Sequence, residues 1–87
     1  MRLGQGDLSG EIVARFKPDR QHSANEVQTT VGDPNSSAGW THAGIFSGGK
    51  ATLSGNGAGS TVWVRIRTAG LKGVMGAWSE PAKIMVV

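Results

Sequence analysis

Two histidines, His22 and His42, are the only imidazoles in a chain of 87 residues, and there is no cysteine. A structural or catalytic metal needs three or four donors brought close together. Two isolated histidines and dispersed acids do not supply them, so no metal site is expected. Asp19, Glu26, Asp33 and Glu80 show no paired spacing that would set up acid–base work. Ser36, Ser37, Ser47 and Ser60 have no nucleophile-elbow motif around them. Gly44-Ile45-Phe46-Ser47-Gly48-Gly49-Lys50 has the G-x-x-x-x-G-K spacing of a phosphate-binding loop. The next residue, Ala51, lacks the hydroxyl that would hold Mg²⁺. Such a loop also needs a helix after it, so that the helix N-terminus faces the phosphates. Lys50–Ser54 is instead strand-like and leads into a glycine loop, so the segment reads as a β-turn. Gly55-Asn56-Gly57-Ala58-Gly59 reads as a turn as well, without the third glycine or the helix of a dinucleotide fingerprint. No cofactor is expected, and neither is an enzyme.

The side chains with more to offer are aromatic. Trp63 falls on the polar face of its stretch, beside Arg65 and Arg67. A solvent-side tryptophan either marks a contact surface or covers neighbouring strands while stacking on an arginine. The second reading is favoured. Trp78 has no place among the apolar positions Val62, Val64 and Ile66. It is expected to lie across the outer face of the same strand, over the guanidinium of Arg65 or Arg67; the alternative is that it turns inward and plugs one end of the fold. Trp63 and Trp78, with Lys72, Val74 and Met75 of the glycine-flanked turn before Trp78, are the candidate partner contacts. Asn35-Ser36-Ser37 is an N-glycosylation sequon in an expected loop.

The elements that must position these residues have an apolar period of two. Gly10–Lys17 alternates Ile12, Ala14 and Phe16 with Val13, Arg15 and Lys17, and Pro18-Asp19 ends it. Glu26–Val31 puts Val27, Thr29 and Val31 on one face. Trp40–Phe46 and Lys50–Ser54 are shorter strands. Thr61–Thr68, TVWVRIRT, is the clearest. Ala82–Val87 closes the chain with Ala82, Ile84 and Val86 inward. Turn clusters at Asp33–Ser37, Ser47–Gly49, Gly55–Ser60 and Ala69–Gly76 separate them. Short strands punctuated about every 8–12 residues indicate an antiparallel sandwich or small barrel.

Charge and length exclude further classes. Nine Lys/Arg against six Asp/Glu give a net charge of +3, and the bases are scattered rather than gathered on one element. Nucleic-acid readers concentrate them, so nucleic-acid binding is not expected. No apolar run could cross a membrane as a helix. The N-terminus has one arginine and no apolar h-region, so no signal peptide is expected. The absence of cysteine removes a disulfide scaffold and leaves the redox compartment open.

The C-terminal half resembles a fibronectin type III domain. Val62-Trp63-Val64-Arg65-Ile66-Arg67-Thr68 is similar to that family's strand F. Gly73 to Gly76, then Ala77-Trp78-Ser79-Glu80-Pro81, is similar to its F–G loop and its entry into strand G. Leu53-Ser54-Gly55 with Gly59-Ser60-Thr61 resembles the end of strand E and the turn after it. Phe16 with Pro18 resembles the end of strand B, and Glu26-Val27-Gln28 the start of strand C. The likeness spans residues 10–87, strongest in the last 35. There are departures. Phe16 stands where the family has a buried tryptophan. Val62 stands at its corner tyrosine and Asn56 at the leucine partner, so no hydroxyl ties down the E–F turn, which should be looser. Strand A is expected within Met1–Gly6, short or trimmed. Gln5-Gly6-Asp7 lacks the cation of an adhesion tripeptide.

The resemblance implies one domain over residues 1–87, an immunoglobulin-like antiparallel β-sandwich of seven strands with fibronectin type III topology. Ile12, Phe16, Val27, Leu53, Val62, Val64, Ile66 and Ile84 should form the core, joined by Trp40. It further implies a non-catalytic spacer or protein-interaction module of a longer multidomain protein, bacterial in type and extracytoplasmic or at the cell surface. Partners would be neighbouring domains, or a protein or glycan, with the domain itself monomeric. Two alternatives stay open. One is a dedicated ligand-binding module using loops 33–39 and 71–77, at one end of the sandwich. The other is an accessory domain attached to a hydrolase.

Overall fold

The computed structural model describes residues 1–16, 24–36, 38–69 and 76–87. The described residues hold seven strands and no helix: β1 (Arg2–Gln5), β2 (Ile12–Arg15), β3 (Ala24–Thr30), β4 (Thr41–Phe46), β5 (Lys50–Leu53), β6 (Thr61–Ala69) and β7 (Ala82–Met85). They form two antiparallel sheets, ordered β1-β2-β5 and β4-β3-β6-β7.

The alternation read from the sequence decides which side of each sheet is buried. In the three-stranded sheet Ile12 pairs with Leu53 and Ala14 with Ala51, and all four side chains are buried. In the four-stranded sheet Val27 pairs with Ile66, and Val62 pairs with Ile84. Ile12, Ala14, Phe16, Val27, Ala51, Leu53, Val62, Val64 and Val86 make one core between the sheets. Leu3, Phe46, Ile66 and Ile84 pack against it half-buried. At about 25 cal/mol per Å² of apolar surface, this burial is the main force holding the layers together.

Three expectations are corrected. Trp40 is not in the core. Thr41 pairs with Thr29, whose neighbour across the sheet is Val64 on the buried side, so alternation turns Trp40 to the outer face. Val31 does not share the face of Val27. β3 ends at Thr30, the Thr30 hydroxyl accepts the Gly32 amide, and Val31 is 74% exposed. The turn between β5 and β6 is not left untied. The Asn56 carboxamide donates to the carbonyls of Gly10 (2.9 Å) and Leu53 (3.1 Å), and the Asn56 amide also donates to Gly10. Gly59 donates to the carbonyl of Val86, and Val86 to that of Ser60. The turn is therefore anchored to segments near both ends of the chain without a tyrosine. Val62, at the tyrosine's position, goes into the core.

Candidate functional site: an indole–guanidinium stack

On the outer face of the four-stranded sheet, β3 and β6 lay polar and aromatic residues side by side. Their register opposes Glu26 to Arg67, Gln28 to Arg65 and Thr30 to Trp63. Arg65 donates to the Gln28 carboxamide oxygen from Nε (3.0 Å) and Nη2 (2.6 Å). Arg67 donates from Nε to Oε1 of Glu26 at 2.6 Å, and its Nη2 lies at ion-pair distance, 2.6 Å, from the same oxygen. These bonds hold the two guanidinium groups by their edges, with their faces free.

The faces are taken by indoles. Trp78 lies 4.3 Å from Cζ of Arg65 and 4.4 Å from Cζ of Arg67. Trp40 also covers Arg65, at 4.3 Å. The result is an alternating stack, Trp40, Arg65, Trp78, Arg67. Each contact adds roughly 0.5–1 kcal/mol at an exposed site and more where water is excluded. The expected placing of Trp78 is therefore what the structure has. Trp63, expected to stack on an arginine, instead takes the Lys83 ammonium at 5.5 Å, because Lys83 is its cross-strand neighbour on β7. Trp63 is half-buried by this arrangement.

The segment before β7 delivers Trp78. Gly76 donates to the carbonyl of Thr68, and Ser79 to that of Ile66. The Ile66 amide in turn donates to the Ser79 hydroxyl at 3.1 Å. Residues 76–79 thus run along β6 as an irregular continuation of β7. Alternation about Ser79 points Trp78 outward.

The electrostatics are those of a tied structure. Glu26 is only 8% exposed. Burial pushes its carboxyl up, but the hydrogen bonds and charges of Arg67 and His42 outweigh this and hold it below the usual glutamate value. His42 Nδ1 lies 3.0 Å from Oε2 of Glu26, on an imidazole that is itself largely exposed. Burial, and then the charge of Arg67, lower the Arg65 pKa, with Glu26 opposing them. The guanidinium remains charged at any physiological pH. Arg65 and Arg67 are two residues apart on one strand face, so their charges repel; the Glu26 carboxylate and the interleaved indole offset this.

Of the sequence-derived contact candidates, the structure brings Trp63 and Trp78 to one sheet face. Lys72, Val74 and Met75 lie outside the described residues, as do His22 and most of loop 71–77. The sequence reading missed Trp40, His42, Glu26 and Gln28 as parts of the stack. Glu26 and Gln28 were detectable in principle, since they alternate with Val27 and match the acid–cation pairing of a neighbouring strand. Asn35 sits exposed in a turn where its amide donates to the Asp33 carboxylate at 2.9 Å. Gly44, Ile45 and Phe46 fall in β4 and Lys50 in β5, so a strand flanks each side of that turn. No group of three or more potential metal ligands occurs among the described residues. No helix in them is long and apolar enough to cross a membrane. No family model, no curated protein and no solved structure gives a significant match to the chain.

Proposed function

We propose that this chain is a fibronectin type III-like, non-catalytic interaction module of a longer protein, and that its contact surface is the outer face of the four-stranded sheet. The strand order supports the fold reading. On this reading β1, β2, β3, β5, β6 and β7 would be the counterparts of strands A, B, C, E, F and G. A constant-type immunoglobulin sandwich adds its remaining strand beside E. Here the remaining strand, β4, pairs with β3 instead.

One observation carries the functional reading, the stack of Trp40, Arg65, Trp78 and Arg67 on an otherwise open sheet face. Tryptophan and arginine are among the residues most enriched in binding hot spots, because each covers much area and offers directed donors. Here their rotamers are already fixed, so a partner would not bear the ordering cost of about 0.5–1.5 kcal/mol for each such side chain. Glu26 is locked in ion pairs and set low in pKa, which suits a scaffold better than a general acid or base.

The test is a titration of the isotope-labelled domain with the neighbouring domains of its parent chain, read by amide and indole N–H shifts. Perturbation centred on the Trp63 and Trp78 indoles and on Ile45 is expected. Binding that leaves all three unmoved overturns the assignment of the surface.

A further inference from the structure

Among the described residues, the cations not seated on an indole lie on the opposite side of the molecule. Arg65, Arg67 and Lys83 are each seated on an indole ring. The remaining cations of the described residues are Arg2, Arg15 and Lys50, and the register puts them in one line. Arg2 pairs with Arg15 across β1 and β2, and Arg15 pairs with Lys50 across β2 and β5. Ala14 and Ala51 face the core, so all three cations point outward from the three-stranded sheet, and all three are exposed. Like charges placed directly opposite across strands oppose the folded state. No carboxylate of the described residues is within ion-pair distance of any of them.

The next row but one across the sheet is Gly4, Val13 and Thr52. These residues are small, and a side chain at Gly4 would meet nothing. With the cation row they line an open concavity of about 540 Å³. At its far end the Glu11 carboxylate is engaged by the amides of Asp7 and Leu8. The concavity is therefore polarised, with three cations at one end and two acids, the tied Glu11 and Asp7, at the other.

The aromatic inventory narrows the ligand. Trp40, Trp63 and Trp78 lie on the other sheet's outer face, and Phe16 and Phe46 pack into the core. Among the described residues this surface has no ring on which a sugar or a base could stack, and single-stranded nucleic acid depends on such platforms. Its asset is charge in a line, with neighbouring strands about 4.8 Å apart. An extended peptide presents every second side chain to one side, about 6.7 Å apart. Long arginine and lysine side chains bridge that difference, and a guanidinium matches a carboxylate with two parallel bonds.

We propose that the outer face of the three-stranded sheet binds an acidic, extended polypeptide segment, laid across the strands with alternate carboxylates on Arg2, Arg15 and Lys50. This is a second surface, independent of the indole–guanidinium stack. Opposite faces allow both to be occupied at once.

The test uses the intact domain and a nine-residue synthetic peptide of alternating glutamate and glycine. A glutamine–glycine peptide, a single-stranded oligonucleotide of equal charge and inorganic phosphate serve as comparisons. Binding of the acidic peptide is expected, with amide shifts at Gly4, Val13 and Thr52, and weakening by about tenfold as salt shortens the screening length. Arg15→Glu, an exposed change at the centre of the row, should lower affinity by about tenfold or more, and Lys50→Glu should do so separately. Val31→Glu, which adds negative charge at an exposed site elsewhere, should leave it within about twofold. Equal binding of the neutral peptide, shifts outside the three-stranded sheet, or unchanged affinity in both charge reversals of folded protein overturns the proposal. Tighter binding of the oligonucleotide than of the peptide overturns it in favour of nucleic acid, and of phosphate in favour of a small anion.

Discussion

Ser79 and Ile66 exchange two hydrogen bonds, one of them through a side chain. The Ser79 amide donates to the Ile66 carbonyl, and the Ser79 hydroxyl accepts from the Ile66 amide in place of a backbone carbonyl. The hydroxyl thus continues the ladder of β6 beyond the start of β7 proper, and this sets the depth at which Trp78 enters the stack.

Ser79→Ala should therefore cost more than its small volume suggests. It leaves the Ile66 N–H without its partner in a half-buried place, a loss of about 1–2 kcal/mol. Urea unfolding gives the stability change. Tryptophan emission should shift to the red as Trp78 loses its seat. Ser79→Thr, which keeps the hydroxyl, should restore most of both.

The double seat of Trp78 predicts a particular pattern of coupling. Trp78→Ala removes two cation–π contacts and should cost about 1–2 kcal/mol from those contacts alone. In that background Arg67→Ala should cost less than it does alone, and so should Arg65→Ala. In that background Arg65→Ala still loses its Trp40 contact, and Arg67→Ala still loses its ion pair with Glu26. A double-mutant cycle with coupling near zero for both arginines would show that Trp78 stabilises by burial only.

Glu26 gives the fold a defined acid sensitivity. Its carboxyl in the folded protein titrates below the reference value of 4.5. The stability it contributes is complete above that value and is lost as pH falls through the lower, folded-state value. Glu26→Gln should lower the melting temperature at pH 7, and the gap from the native protein should narrow as pH falls below 4.5 towards the lower, folded-state value. A gap that is the same at pH 7 and pH 3 would mean that Glu26 acts through packing and not through its charge.

The strands were legible because alternation is a local signal. In Thr61–Thr68 the apolar Val62, Val64 and Ile66 and the run Trp63, Arg65, Arg67 separate cleanly by parity, and the structure keeps that separation. The position of Trp78 could be argued from the same strand, since its partners are two residues apart. Trp40 could not. Its face depends on the register of β4 against β3, which shifts between Val27 and Gln28, and no residue near Trp40 carries that information. The same shift sets His42 opposite Gln28 and within reach of Glu26. The cation row of Arg2, Arg15 and Lys50 was hidden for a similar reason. The three are scattered in sequence, and only strand pairing lines them up.

Asn56 shows how a residue can be misread when one chemical solution is expected. The turn after β5 was expected to be loose without a tyrosine hydroxyl, yet a carboxamide does the tying. It donates to two carbonyls, those of Gly10 and Leu53. The arrangement also constrains Gly10, which has φ of 85° and whose added Cβ would come 2.8 Å from the Asn56 carbonyl oxygen. Asn56→Ala should cost about 1–2 kcal/mol, with both carbonyls losing this donor. Asn56→Asp should cost more at neutral pH, because a carboxylate has no N–H to give and brings its charge against two acceptors. Gly10→Ala should cost about 1–2 kcal/mol from the left-handed backbone alone, and more from the clash. Because Gly10 and Asn56 touch, the double variant Gly10→Ala, Asn56→Ala should cost less than the two singles added together. Amide exchange supplies the local readout. In the native protein Asn56, Gly59 and Ser60 should exchange more slowly than an untied glycine-rich turn, and Asn56→Ala should speed them while Val64 and Ile66 stay protected. Fast exchange of these amides in the native protein would mean that the carboxamide bonds do not hold the turn in solution.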